Sequence, residues 1–144
     1  MAYRTIRDII EDQEPVTAHS GMTVSEAANI MKQHRIGAMM VVENEVLVGV
    51  FTERDALIRM VAEGRDSRIT ALADVMTPNP RTIGADDTFE HALQMMHQGR
   101  YRHVPVVENG RPIGMVSVRD AMGPELEAFV YELLRQEQVS DVLA

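Results

Sequence analysis

Two short stretches of this 144-residue chain hold the residue types from which a binding site is built. One reads Gly49-Val50-Phe51-Thr52-Glu53-Arg54-Asp55, the other Gly114-Met115-Val116-Ser117-Val118-Arg119-Asp120. Each sets a hydroxyl three residues after a glycine, and a carboxylate three residues after the hydroxyl. Where a strand gives way to a helix, such a hydroxyl caps the helix and the acid returns the bond, stabilising it by about 1 kcal/mol. The same geometry suits a ligand. A helix start offers unpaired N–H groups and the positive end of a dipole to a phosphate. A carboxylate one turn further in accepts hydrogen bonds from both hydroxyls of a ribose. Capping and binding are compatible, and the residues by themselves support both.

Other chemistries find less to work with. The histidines His19, His34, His91, His97 and His103 form no i, i+4 pair and no His-Glu-x-x-His pattern, so no metal site is expected. Without cysteine there is no disulfide, thiolate zinc site or thiol nucleophile. No nucleophile elbow, phosphate loop or Gly-x-Gly-x-x-Gly occurs. Asp55 and Asp120 lack a second carboxylate at metal-binding spacing, so no catalytic residue is expected and the chain reads as a non-enzyme. Of the 11 methionines, Met31, Met95, Met96 and Met115 fall on expected core faces.

The net charge of −8, with no run of Lys and Arg, argues against nucleic acid and anionic membrane as partners. The longest apolar runs, Ile36–Val42 and Val46–Phe51, fall well short of the roughly 20 residues a membrane helix needs. The first residues carry no apolar stretch of signal-peptide length. A cytoplasmic protein is therefore expected.

The elements that must position the two stretches come from a repeat. Shifted by 65 residues, Pro15–Ala56 lies on Pro80–Ala121 without a gap, with 15 identities in 42 pairs. Unrelated segments share about two or three. A period this long, occurring twice, means two copies of a small domain rather than a solenoid. Each copy opens on a short strand, Val16–Ala18 or Arg81–Ile83. An amphipathic helix follows, with Val24, Ala27, Ala28 and Met31 on one face in the first copy and Phe89, Ala92, Leu93 and Met96 in the second. Thr23 with Glu26 predicts a capping box. Two apolar strands then form a hairpin, Ala38–Glu43 with Val46–Phe51 and His103–Glu108 with Pro112–Val116. Asn109-Gly110 is a strong type I′ turn signal and Asn44-Glu45 a weaker one. Gly49 and Gly114 mark a bulge or a close backbone approach. A second helix starts at Thr52 and at Ser117, reaching about Ala62 in the first copy. The domain reading is 5–64 and 74–123 for the copies, 65–73 for a linker, and 124–144 for a C-terminal helix and tail. That helix carries Leu126, Phe129, Val130, Leu133 and Leu134 on one face, which must bury against something.

As a set, these pieces resemble the CBS domain, the cystathionine-β-synthase type, in a free-standing pair. The residues that carry the likeness are Asp74-Val75-Met76-Thr77-Pro78 before the second copy, Arg102-His103-Val104-Pro105-Val106-Val107 on its first long strand, and both Gly-x-x-[Ser/Thr]-x-x-Asp endings. The resemblance implies an α/β (α+β) protein of two β-α-β-β-α domains packed with pseudo-twofold symmetry, and association of two such pairs into a disc-shaped homodimer. It implies adenosine-type ligands between the copies: AMP foremost, with ADP, ATP and NAD(H) sharing the same recognised part. Thr52 and Ser117 would contact phosphate, Asp55 and Asp120 the ribose, and Thr17 and Thr82 the adenine. Gly37, Ala38 and Met39 would line the first site, and Arg102, His103, Val104 and Pro105 the second. Arg54 and Arg119 would face a phosphate. Arg102-His103 against Gly37-Ala38 predicts the tighter phosphate site in the second copy. The function implied is a nucleotide sensor that signals to a regulated partner protein. The rival is a non-binding assembly scaffold working through the C-terminal helix.

Overall fold

The computed structural model describes residues 4–122 and 131–136. The first copy contributes β1 (Thr17–His19), α2 (Val24–His34), β2 (Ala38–Glu43) and β3 (Val46–Thr52), preceded by a short helix α1 (Ile6–Ile10). After β3 come α3 (Glu53–Asp55) and a π-helix over Ala56–Val61. A connecting helix α4 (Leu72–Val75) and strand β4 (Thr77–Pro78) lead to the second copy. That copy holds α5 (Phe89–Gly99), β5 (His103–Glu108), β6 (Arg111–Ser117) and a 3₁₀ turn over Val118–Met122.

The mixed α/β architecture follows the repeat. Thr23 caps α2 in a full capping box with Glu26, whereas Thr88 caps α5 through the His91 N–H alone. Both helices end on an arginine in the left-handed region, Arg35 at φ 54° and Arg100 at φ 57°. Both hairpin turns place two residues at positive φ, Asn44-Glu45 and Asn109-Gly110. The register slips by one residue opposite each strand glycine, between Val41 and Val42 and between Val106 and Val107.

Two elements differ from the expected pattern. The Arg81–Ile83 strand is reduced to one parallel bridge, Ile83 with Val106. Gly84 follows at the position His19 holds in the first copy, and glycine weakens a strand. The second helix is a single turn plus a π-helix in one copy and a 3₁₀ turn in the other. Pro124 shortly after that 3₁₀ turn opposes continuation as an α-helix.

The copies are welded by exchange of their leading segments. Ile6 and Ile10 of α1 sit in the core built by Phe89, Met95, Val104, Val106 and Val116 of the second copy. Leu72 and Val75 of α4 sit in the core of the first, with Val24, Met39, Val41 and Phe51. The strand glycines make room for this. A Cβ on Gly114 would lie 2.8 Å from Ile10 Cβ, and one on Gly49 would collide with the Met76 thioether. In the first copy β4 pairs with Gly49 and Val50. In the second the Gln13 side chain fills that role, bonding both the N–H and the carbonyl of Met115 at 3.0 Å.

Residues 131–136 are helical, within the stretch expected to form the C-terminal helix. Tyr131, Leu133 and Leu134 are exposed there. Leu126, Phe129 and Val130 of the expected stripe lie outside the described residues.

Candidate functional site

The residues that enter the first long strand of each copy are tied to the residue that follows the motif hydroxyl. Glu53 N–H donates to the Gly37 carbonyl at 2.9 Å, and Val118 N–H to the Arg102 carbonyl at 3.1 Å. Both copies thus bring a strand entrance and a strand exit together. Between the copies these ends border a cleft of about 630 Å³. Gly37, Phe51, Glu53 and Ala56 line it from the first copy, with Ala28, Met31, Lys32 and Arg35 of α2 and its C-cap. Arg102, His103, Ser117, Val118 and Arg119 line it from the second.

The charge of this lining differs from that of the chain. Lys32, Arg35, Arg102 and Arg119 face Glu53 as the one carboxylate among the lining residues. The sequence holds no run of basic residues, yet the fold assembles a basic surface from three separate segments. Arg35 reaches it from a left-handed backbone, a conformation that costs a non-glycine residue about 1–2 kcal/mol. His103 lies half-buried in the lining. Burial holds its imidazole below the usual histidine range; Glu53 and Asp120 pull it back up, and Arg102 and Arg119 reinforce the lowering.

Of the residues singled out from the sequence, Gly37, Arg102, His103, Ser117 and Arg119 meet in this cleft. Asp120 is bonded to Ser117 beside it: its Oδ2 accepts from Ser117 N at 2.7 Å and lies 3.5 Å from the hydroxyl. Thr52 and Asp55 form a tighter unit. Thr52 N and Oγ1 donate to Asp55 Oδ2 at 3.0 and 3.1 Å, and Asp55 N–H returns a bond to Oγ1 at 3.1 Å. Asp55 is buried, 8% exposed, and neither it nor Thr52 lines the cleft. Ala38 is buried too, and Met39, Val104 and Pro105 are fully so, Met39 and Val104 in the two cores. Arg54, Thr17 and Thr82 are exposed and lie outside the cleft lining. Lys32, Arg35 and Glu53 are cleft residues that motif reading passed over. Arg35 left one trace, its identity with Arg100 in the repeat; Lys32 left none.

Comparison with known proteins identifies the family and the fold. A family model described as the CBS domain matches residues 6–62 and again 72–123. The protein YhcV of Bacillus subtilis, described as CBS domain-containing, is 35% identical over 116 residues, covering 81% of each chain. A mitochondrial CBS domain-containing protein of Arabidopsis thaliana, CBSX3, is 36% identical over 118 residues; the match takes in 78% of this chain and only 57% of that protein. Among solved structures, the CBS domain pair of protein MJ0100, in complex with 5′-methylthioadenosine and S-adenosyl-L-methionine, superposes with a TM-score of 0.76 at 29% identity, covering 83% of this chain and 94% of that one. A CBS domain protein of Pyrobaculum aerophilum complexed with AMP gives 0.74 at 26% identity, covering 81% and 89%.

Proposed function

The chain belongs to the CBS-domain family, and from that membership we propose that it is a regulatory module whose cleft between copies takes a phosphorylated adenine nucleotide. AMP is the first candidate, with ADP, ATP and NAD(H) sharing its adenosine part. The observation that carries this reading is the lining charge: Lys32, Arg35, Arg102 and Arg119 against Glu53, in a chain of net charge −8. A protein this acidic that gathers cations at one concave site favours an anion there, because charge-assisted bonds from Arg to phosphate are the strong ones. Solved pairs in complex with AMP or with S-adenosyl-L-methionine and 5′-methylthioadenosine support the adenosine part. The cations favour phosphate over the positively charged sulfonium of S-adenosyl-L-methionine.

No catalytic role is assigned to any residue. Ligand occupancy would act by shifting the relative orientation of the copies, by as much as the ligand's affinity differs between the two arrangements. A regulated partner protein would read that shift. Leu57, Ile58 and Val61 stand exposed along the π-helix, which supports a homodimer, the commonest closed assembly. Among the described residues no helix is long and apolar enough to cross a membrane.

The deciding experiment is calorimetric titration of nucleotide-free protein with AMP, ADP, ATP, NAD(H), S-adenosylmethionine and adenosine. Saturable binding of the phosphorylated ligands, at least tenfold tighter than of adenosine, is the expected result. Absence of binding by folded protein would replace the sensor reading with the scaffold reading.

A further inference from the structure

The two motif carboxylates keep different company. Asp120 has Ser117 on one carboxylate oxygen, and the guanidinium of Arg4 donates to its backbone carbonyl at 2.8 Å rather than to its carboxylate. Asp55 has Thr52 on Oδ2, and its Oδ1 lies 3.5 Å from Arg59 Nε. Arg59 is itself anchored: its Nη1 donates to the carbonyls of Met76 at 2.9 Å and Val75 at 3.3 Å, in the segment leading to the second copy. The residue 65 positions beyond Arg59 is Pro124, which brings no cation to Asp120. The backbone between Asp55 and Arg59 has opened into a π-helix, with Ala62 N–H on the Leu57 carbonyl and Arg65 N–H on that of Met60. The π-helix is a rare conformation, and single π-turns inside helices are frequently found at functional sites.

We infer that Arg59 is an internal occupant of the first copy's ribose-binding carboxylate, so that each chain takes one nucleotide, at the site served by Asp120. The inference rests on the nucleotide reading above. A ribose reaching Asp55 would need the oxygen that faces the guanidinium. It would offer a neutral hydroxyl where the carboxylate now has a cation as its ion-pair partner at 3.5 Å. It would also arrive from solution, while Arg59 is tethered four residues away and held in place by two carbonyls, at a high effective concentration. The three hydrogen bonds within the Thr52–Asp55 unit and the burial of Asp55 act in the same direction. Arg59 is thus a specificity-determining residue: it decides how many ligands bind rather than how tightly the first one does.

The test is the number of AMP molecules bound per full-length chain, by calorimetry, in wild type and in Arg59→Met, with Arg59→Gln as the second variant should Arg59→Met not fold. The expected result is one AMP for wild type and two for the folded Arg59 variant, with the original site changed less than threefold in affinity. Adding Asp120→Ala to the Arg59 variant should bring the count back to one. Two AMP per wild-type chain, or one per folded Arg59 variant, overturns the role of Arg59 and leaves the sensor reading standing. If no form of the chain binds AMP or any other adenine nucleotide, the sensor reading falls, and this inference falls with it.

Discussion

In the first copy the motif hydroxyl and carboxylate satisfy each other: Thr52 and Asp55 exchange three hydrogen bonds, with Arg59 closing the remaining side. In the second, Ser117 and Asp120 share one short bond, 2.7 Å from the Ser117 amide, and Ser117 lines the cleft. Near-identical motifs therefore carry the two roles that one geometry allows. Where the helix continues beyond the motif, as it does through the π-helix to Val61, the motif serves as a cap. Where the motif leads into a 3₁₀ turn, the hydroxyl and carboxylate are left half-used beside a basic cleft. A duplicated sequence can divide labour through differences several residues away from the motif.

The largest effect expected from this division is on binding. Asp120→Ala should weaken AMP affinity at least 100-fold by calorimetry, whereas Asp55→Ala should change it less than threefold and appear instead as lost stability, since the cap is broken. Equal losses of affinity from both would erase the distinction between the copies. Next comes Arg102→Ala. Removing a charge-assisted bond of about 1.5–3 kcal/mol should weaken AMP binding by about ten- to a hundredfold. Adenosine binding, with no phosphate to lose, should stay the same in that variant.

The strand glycines sharpen the comparison from the side of packing. Gly114→Ala drives a methyl into the branched Cβ of Ile10, which is held in the core, so a loss of about 1–3 kcal/mol in urea unfolding is expected. Gly49→Ala meets the flexible end of Met76, which can swing aside, and should cost less. The smallest effect concerns pH. His103 is held below its ordinary value of 6.5 mainly by burial. As pH falls through 6.5 the unfolded chain takes up more protons than the folded one, so stability falls with acidification. Thermal melts between pH 7.5 and 5.5 should show a smaller acid loss in His103→Gln than in wild type. The first copy has Ala38 at the equivalent position and contributes nothing of this kind.

Much of this was legible before folding. The 65-residue repeat, the helix periodicity, the Thr23 capping box and the paired positive-φ turns are local or self-referential signals, and the structure carries each of them. So is the inequality of Arg102-His103 and Gly37-Ala38, which needs only an alignment of the chain with itself. What depends on distance in space was not legible. Ile10 belongs to the core of the second copy, more than 70 residues away along the chain from the Ile83–Val116 elements it packs among, because the leading segments cross over. Lys32, Arg35 and Arg119 become one basic surface only when the end of α2 and the exit of β6 are folded against each other. The absence of a basic run therefore said nothing about a basic cleft. Arg59 was one more i, i+4 partner of an acid on a helix until Val75 of α4 and the adjoining Met76 supplied two carbonyls to hold it. Local hydrogen bonding and periodicity are written in neighbouring residues, so the sequence alone determined the elements, their caps and the duplication. Charge complementarity and burial are sums over groups from the whole chain, so only the tertiary structure decided which of the two motif hydroxyls faces the cleft.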